Sequence, residues 1–176
     1  MNITEQIDSR VIDVPDFPTK GIIFKDITPL LADPPLVNGI ILELATWYSA
    51  QKIDAVAGIE SRGFFFGVQL ARALHVPFIP IRKEGKLPRE KVAWSYELEY
   101  GKAGIEVHKD AVENGWNVLI HDDLLATGGT AAAAAEIINL LGGKVAGFSF
   151  IIILEFLEGR QKLKKYSEWM HCLKSY

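Results

Sequence analysis

A chain of 176 residues, 49% apolar and 23% charged, has the make-up of an ordinary globular protein with length for one substantial core, a single domain over 1–176. Its net charge of −3 excludes a global pull toward nucleic acid, so any anion site must be local. One cysteine, Cys172, excludes an internal disulfide, and the most apolar run, Val145 to Leu154, is far short of the roughly 20 residues that span a bilayer; with no basic-then-apolar leader, a cytoplasmic protein without nucleic-acid or membrane partners is expected.

Ile3, Ile7 and Val11 recur at helical spacing and predict an amphipathic helix over residues 3–12, ended by Pro15 and Pro18. Residues 17–29 follow as an irregular apolar segment. Within it Ile22 to Lys25 either rim a flat apolar ligand or pack over the core. Leu36, Ile40, Leu44 and Trp47 mark a helix from about Pro35 to Ala50, and Ile53 to Gly58 is a short buried strand. Glu60-Ser61-Arg62-Gly63 then opens a helix reaching about Leu74. A cation such as Arg62 in a first turn opposes the helix dipole, a conflict that a bound anion or a surface salt bridge would remove.

Pro77 to Ile81 reads as a strand. Arg82 to Lys91, crowded with Lys and Arg around Gly85 and Pro88, reads as a mobile basic loop. It is either simply solvated or, because it leaves a strand end of an α/β sheet, places Lys83 and Lys86 against a polyanion. Ser95 to Tyr100 and Ile105 to His108 form a hairpin around a turn at Gly101 to Gly104. Glu97 and Glu99 share one side of it: either both are exposed opposite lysines, or a closing loop carries one to the reacting atoms.

The most informative stretch is Val118 to Thr130. A short apolar run predicts a buried strand ending in the adjacent carboxylates Asp122 and Asp123, followed by a turn of small residues and a helix from Ala131 to Leu141. The unpaired N–H groups and the dipole of a helix start favour an anion; Gly128 and Gly129 let the main chain approach it, and Thr127 and Thr130 add hydroxyl donors. Two acids cannot bind phosphate but suit the neighbouring hydroxyls of a sugar, so the stretch asks for a sugar phosphate. A Cβ at Gly128, as in Gly128→Val, is expected to crowd that phosphate in an otherwise folded protein. After the Gly142-Gly143 stop, Lys144 to Leu154 predicts a strand, Glu158 to Lys165 a short basic segment, and Trp169 to Leu173 an edge strand. Strands alternating with helices predict an α/β protein, an open, mostly parallel twisted sheet flanked by helices. His75, His108, His121 and His171 fall into no ligand spacing, and His121 on a strand faces away from Asp122.

Asp122 to Thr130, DDLLATGGT, resembles the 5-phosphoribosyl-1-pyrophosphate (PRPP) signature of the type I phosphoribosyltransferase family, in the form its adenine-specific members carry. Three further stretches match in order: PDFPTKGIIFKDITP, the Glu60-Ser61-Arg62 turn, and RKEGKLP through Leu98-Glu99-Tyr100-Gly101. The resemblance implies that family's fold, with a small N-terminal hood (about 13–33) and a flexible catalytic loop (about 82–104). It implies transfer of phosphoribosyl from PRPP to adenine, giving AMP and pyrophosphate in purine salvage. The alternatives are another purine substrate such as xanthine, or a PRPP-sensing regulator without turnover. By the same resemblance Ala126, Thr127, Gly128, Gly129 and Thr130 hold the 5′-phosphate, and Asp122 and Asp123 the ribose hydroxyls. Ser61, Arg62, Lys83 and Lys86 hold pyrophosphate, with an unusual peptide geometry at the Ser-Arg turn. Ile23 and Lys25 offer main-chain contacts to the base and Phe24 stacks on it; Lys25 stands where many relatives have arginine. Glu99, rather than Glu97, becomes the catalytic base. Mg²⁺ is expected to arrive with PRPP, held mainly by substrate oxygens, and the family expectation is a homodimer.

Overall fold

The structure, a computed structural model, describes residues 1–97 and 102–176, Glu97 and Lys102 by their backbone alone. The first helix, α1 (Ile3–Arg10), starts on a capping box: Asn2 accepts from the Glu5 N–H at 2.8 Å and the Glu5 carboxylate accepts from the Asn2 N–H at 3.0 Å. It is shorter than the predicted helix, because Ile12–Pro15 is a strand, β1, paired antiparallel with β2 (Ile23–Asp26) from Ile12 opposite Asp26 to Pro15 opposite Ile23. The segment expected to be irregular is thus half of a two-stranded ribbon. Its turn is held by the Asp16 carboxylate accepting from the Gly21 N–H at 2.7 Å, and Phe17 meets Phe24 edge-on at 5.1 Å. The short α2 (Thr28–Leu31) leads to α3 (Pro34–Tyr48), capped by Asp33. Tyr48, not Trp47, enters the core, its hydroxyl donating to the Phe148 carbonyl at 2.5 Å.

The remaining elements are β3 (Ala55–Ile59), α4 (Gly63–Ala73), β4 (Phe78–Lys83), β5 (Lys91–Glu97), β6 (Lys102–His108), β7 (Asn117–Leu125), α5 (Gly129–Leu140), β8 (Lys144–Ile153), a 3₁₀ turn at Glu155–Leu157, α6 (Gly159–Leu163) and β9 (Met170–Ser175). Seven strands form one sheet in the order β5-β6-β4-β3-β7-β8-β9. Neighbours are parallel from β4 to β9, and β6 and β5 pair antiparallel at one edge. Strand alternation splits the apolar side chains between two layers. Ala55, Ala57, Ile59, Val118 and Ile120 pack under α5, while Val56 and Leu119 pack under α3 and α4. The chain runs from β3 outward to β4 in one direction and from β7 outward to β8 in the other. The crevice between β3 and β7 is therefore a topological switch point, where open α/β sheets bind ligands at the carboxyl ends of their strands.

The basic run departs from a free loop. Arg82 and Lys83 belong to β4, and the hairpin is longer than expected, pairing Lys91 with His108 through Glu97 with Lys102, so residues 102–104 are strand rather than turn. Between them lies a built turn. The Lys86 N–H donates to the Lys83 carbonyl at 3.2 Å, and the fully buried Glu106 accepts from the Leu87 N–H at 2.5 Å, while Lys91 donates to the Leu87 carbonyl at 2.8 Å. A buried carboxylate needs such partners, and no periodicity in the sequence announces them. Among the described residues no helix is long and apolar enough to cross a membrane.

Candidate active site

The ends of β3, β4 and β7 lie side by side, and each delivers a stretch that the sequence singled out. β7 does not stop at the acids: Asp122 pairs with Phe150 and the strand continues to Leu125 opposite Ile153, because the long apolar β8 offers partners that far. At the end of β3, Glu60 and Ser61 are joined by a cis peptide bond, one bond ahead of the Ser61-Arg62 pair singled out in the sequence, and Arg62 is the residue from which α4 starts. Arg62 Nε lies 2.9 Å from Asp123 Oδ2, and its guanidinium sits 4.8 Å from the centroid of Phe24. Three distant segments thus converge on one side chain: the ribbon, the β3–α4 turn and the β7 acids.

The salt-bridge reading of Arg62 therefore holds in this structure, with a buried carboxylate as the partner and not a surface one. Yet the pair is close without being aligned. Neither Arg62 Nη1 nor Asp123 Oδ2 has a hydrogen-bond partner among the described residues, although both are buried. The guanidinium keeps a donor for an anion and the carboxylate keeps an acceptor for a hydroxyl. Asp122 lies against the start of α4: its Oδ1 would be 2.9 Å from a Cβ at Gly63, so only glycine lets that helix end approach the carboxyl. The dipole of α4 favours negative charge there.

Burial and the neighbouring Asp123 charge push the Asp122 carboxyl well above its ordinary value of 3.8. Burial also raises Asp123, with Arg62 opposing. Acids with a raised folded-state pKa bind more protons in the native than in the unfolded chain above pH 3.8, so their effect is a loss of stability as pH rises through that window. Asp122→Asn is expected to be more stable than the parent at pH 7.5, with the difference shrinking toward pH 4, while binding ribose 5-phosphate more weakly. Urea unfolding at the two pH values, with calorimetry, checks both halves; an equal stability difference at both pH values would contradict the assignment.

Glu60 links this turn to the end of β4. Its Oε2 accepts from Arg82 Nε at 2.9 Å and from the Lys83 N–H at 2.8 Å, contacts that hold its pKa below the usual carboxylate range, Arg82 foremost. The Lys83 main chain is thereby tied to the residue before Ser61, and both Lys83 and Lys86 are exposed. The Glu60–Arg82 pair escapes the sequence reading, but it follows once Ile59 pairs with Ile81, since each of the two comes next in the chain after that pair.

After β7, Gly128 adopts a φ of +76° and no side chain caps α5. The first helical bond of this turn joins the Ala132 N–H to the Gly128 carbonyl at 2.9 Å, so the N–H groups of Gly129, Thr130 and Ala131 precede any intrahelical acceptor. The helix begins two residues earlier than predicted, directly at the glycines. A second glycine, Gly159 at the start of α6, backs the turn. A Cβ on Gly128 would lie 2.9 Å from the Gly159 carbonyl oxygen, and one on Gly159 would strike the Ala126 carbonyl. The obstacle to a side chain at Gly128 is thus its own backbone conformation and Gly159, and the expectation of an otherwise folded Gly128→Val is corrected accordingly. Gly128→Ala is expected to lower unfolding stability by about 1–3 kcal/mol in urea titrations, besides weakening ribose 5-phosphate binding.

On the ribbon, Ile23 is exposed and Phe24 half-buried, next to Arg62. Lys25 Nζ is 2.6 Å from Asp13 and stacks 3.8 Å from the Tyr176 ring centroid, so its ammonium is engaged away from Arg62 and its main chain is the group left to offer. Glu99 lies outside the described residues. Among the described residues no group of three His, Cys, Asp or Glu side chains converges on a metal position.

The phosphoribosyl transferase domain family matches residues 30–175. Adenine phosphoribosyltransferase of Halothermothrix orenii is 54% identical over 161 residues, 92% of this chain and 95% of the relative. The chain belongs to the adenine phosphoribosyltransferase family. The enzyme of that name from Nitrosococcus oceani is 49% identical over 172 residues, 98% of this chain and 99% of the relative. Among solved structures, adenine phosphoribosyltransferase from Thermoanaerobacter pseudethanolicus matches with a TM-score of 0.94 at 48% identity, over 98% of this chain and 99% of that one. The Saccharomyces cerevisiae enzyme, solved with D-2,5-dideoxy-2,5-imino-altritol 1,6-bisphosphate and adenine, matches with a TM-score of 0.90 at 40% identity, over 97% and 98%. Family membership covers the sheet and both of its helical layers. The β1–β2 ribbon lies before the family match and within the span of these full-length likenesses.

Proposed function

We propose that this chain transfers the phosphoribosyl group of PRPP to adenine, releasing pyrophosphate and forming AMP. The observation that carries the reading is the half-buried Arg62–Asp123 pair with a free donor and a free acceptor among the described residues, set at a switch point beside the uncapped start of α5. An anion and a sugar hydroxyl are the partners those two groups lack.

The N–H groups of the 126–130 turn and the hydroxyls of Thr127 and Thr130 would hold the 5′-phosphate, and this remote binding energy orients C1′. Asp122 and Asp123 accept from the ribose hydroxyls. Loss of pyrophosphate from C1′ leaves an oxocarbenium-like ring, whose positive charge the two acids favour, while Ser61, Arg62, Lys83 and Lys86 take the charge of the leaving group. Adenine lies along the ribbon at Ile23 to Lys25, with Phe24 on its face, and attacks through N9. The N7–H of that tautomer becomes acidic as the bond forms, and Glu99 accepts the proton. PRPP would bring Mg²⁺ with it, held mainly by the substrate's own oxygens, and the ion would supply screening of the pyrophosphate charge. The carboxylates of Asp122 and Asp123 suit its waters as well as the hydroxyls. We further propose one catalytic domain over 1–176, with the ribbon as hood and 82–104 as the closing loop, acting as a cytoplasmic homodimer in purine salvage.

Pyrophosphate release with PRPP, magnesium and each purine and pyrimidine base in turn tests this. Release with adenine above all others is expected. Release with xanthine in its place would reassign the base, and PRPP binding without base-dependent release would make the chain a sensor.

A further inference from the structure

The hairpin of β5 and β6 lies over the first turn of α5, and the contact is more specific than packing. The Tyr96 hydroxyl is 2.8 Å from Thr130 Oγ1, and the Tyr96 ring is 3.7 Å from where a Cβ on Gly129 would stand. Trp94, two residues back and so on the same face of β5, joins Tyr96, Gly129, Ala132 and Ala133 around a cavity of about 190 Å³. Gly129, Ala132 and Ala133 leave room for two aromatic rings; longer side chains there would lift the hairpin off the helix. Tyr96 is paired with Ala103 across the hairpin and stands three residues before Glu99 in the chain.

Thr130 has one hydroxyl proton, and a phosphate oxygen at the turn can only accept it. For Thr130 to bind phosphate, its lone pairs must face away from the ligand, and the group that meets them must be a donor. The Tyr96 hydroxyl is in that place. We infer that Tyr96 is a positioning residue: it donates to Thr130 Oγ1, turns the Thr130 proton toward the 5′-phosphate, and through the same bond ties the hairpin leading to Glu99 to the occupied phosphate turn. Phosphate binding polarises the Thr130 hydroxyl and strengthens the bond it accepts, so an occupied turn holds the hairpin more firmly than an empty one. The inference rests on the reading of 126–130 as the phosphate site.

The test uses ribose 5-phosphate and, separately, pyrophosphate as probes of the whole protein. Ribose 5-phosphate is expected to slow hydrogen exchange of β5 amides in the parent, and pyrophosphate alone is not. Tyr96→Phe should bind ribose 5-phosphate roughly three- to ten-fold more weakly, the span of one hydrogen bond, lose that ligand-dependent protection, and bind pyrophosphate as the parent does. In a Thr130→Val background the same substitution should cost nothing further. A merely structural tyrosine would lower stability and leave the ligand-dependent protection in place. Parental affinity and protection in Tyr96→Phe, or losses that simply add in the double variant, would overturn the inference. If the parent turns over adenine and this coupling is missing, the inference fails alone. If no base is turned over but the coupling is present, the proposed reaction fails alone, and if ribose 5-phosphate does not bind, both fail.

Discussion

Glu99→Gln is expected to lower kcat by roughly 10²–10⁴-fold, the usual span for a general acid–base group, with little change in PRPP affinity. Glutamine keeps the shape of the side chain and can still accept a hydrogen bond from N7–H through its amide oxygen, but it cannot take the N7 proton as N9 bonds to C1′. The hairpin register provides the control. Glu97 is the last residue of β5 and is paired with Lys102, whereas Glu99 falls in the 98–101 connection beyond that pair. Glu97→Gln is therefore expected to turn over near the parental rate. The deciding measurement is the single-turnover rate of Glu99→Gln with saturating adenine and PRPP. Parental turnover in that variant, or the large loss appearing at Glu97 instead, would remove Glu99 from the proton transfer.

What the sequence could show follows from how far apart the partners are. The β7–α5 unit was legible because strand, acids, glycines and helix are consecutive, and each step has a local cause. Even so, the strand end was misplaced at the acids, since its continuation to Leu125 depends on β8 lying alongside. The ribbon was missed for the same reason. β1 and β2 are four residues each, show no clean alternation, and exist by pairing with one another. Pro15 and Pro18 then read only as helix stops. Gly159 carried no signal at all: its need to be glycine comes from the Ala126 and Gly128 backbone, which only the folded chain brings beneath it. Nothing in the sequence ties Tyr96 to Thr130, 34 residues away; their contact exists because the β5–β6 hairpin lies over α5. The folded arrangement also reweights Arg62. From sequence an anion and a salt bridge were rival explanations of a cation at a helix start; in the structure the salt bridge is present and still leaves a donor free.

That double engagement makes Arg62→Gln the other large loss, and one whose two components separate. Removing a positioned donor that stabilises transition-state charge typically costs 10²–10³-fold, and kcat/KM for PRPP is expected to fall by about that much, with pyrophosphate becoming a poorer product inhibitor. The same change strands Asp123. Breaking a fully buried ion pair costs roughly 3–5 kcal/mol; here the Arg62 side chain is 27% exposed against 5% for Asp123, so only part of that loss is expected. Burial already raises the Asp123 pKa, and Arg62 is what opposes the rise. Without it the native state holds the Asp123 proton to higher pH than the unfolded chain does, so Arg62→Gln should lose stability with rising pH more steeply than the parent. Adding Asp123→Asn removes the stranded charge and should restore urea stability and flatten the pH dependence. It should not restore kcat/KM, because the leaving pyrophosphate still lacks its guanidinium and the ribose has now lost the Asp123 carboxylate as well. Recovery of activity together with stability in the double variant would mean that Arg62 serves only to neutralise its neighbour, and the pyrophosphate site would then have to be built from Lys83 and Lys86 without it.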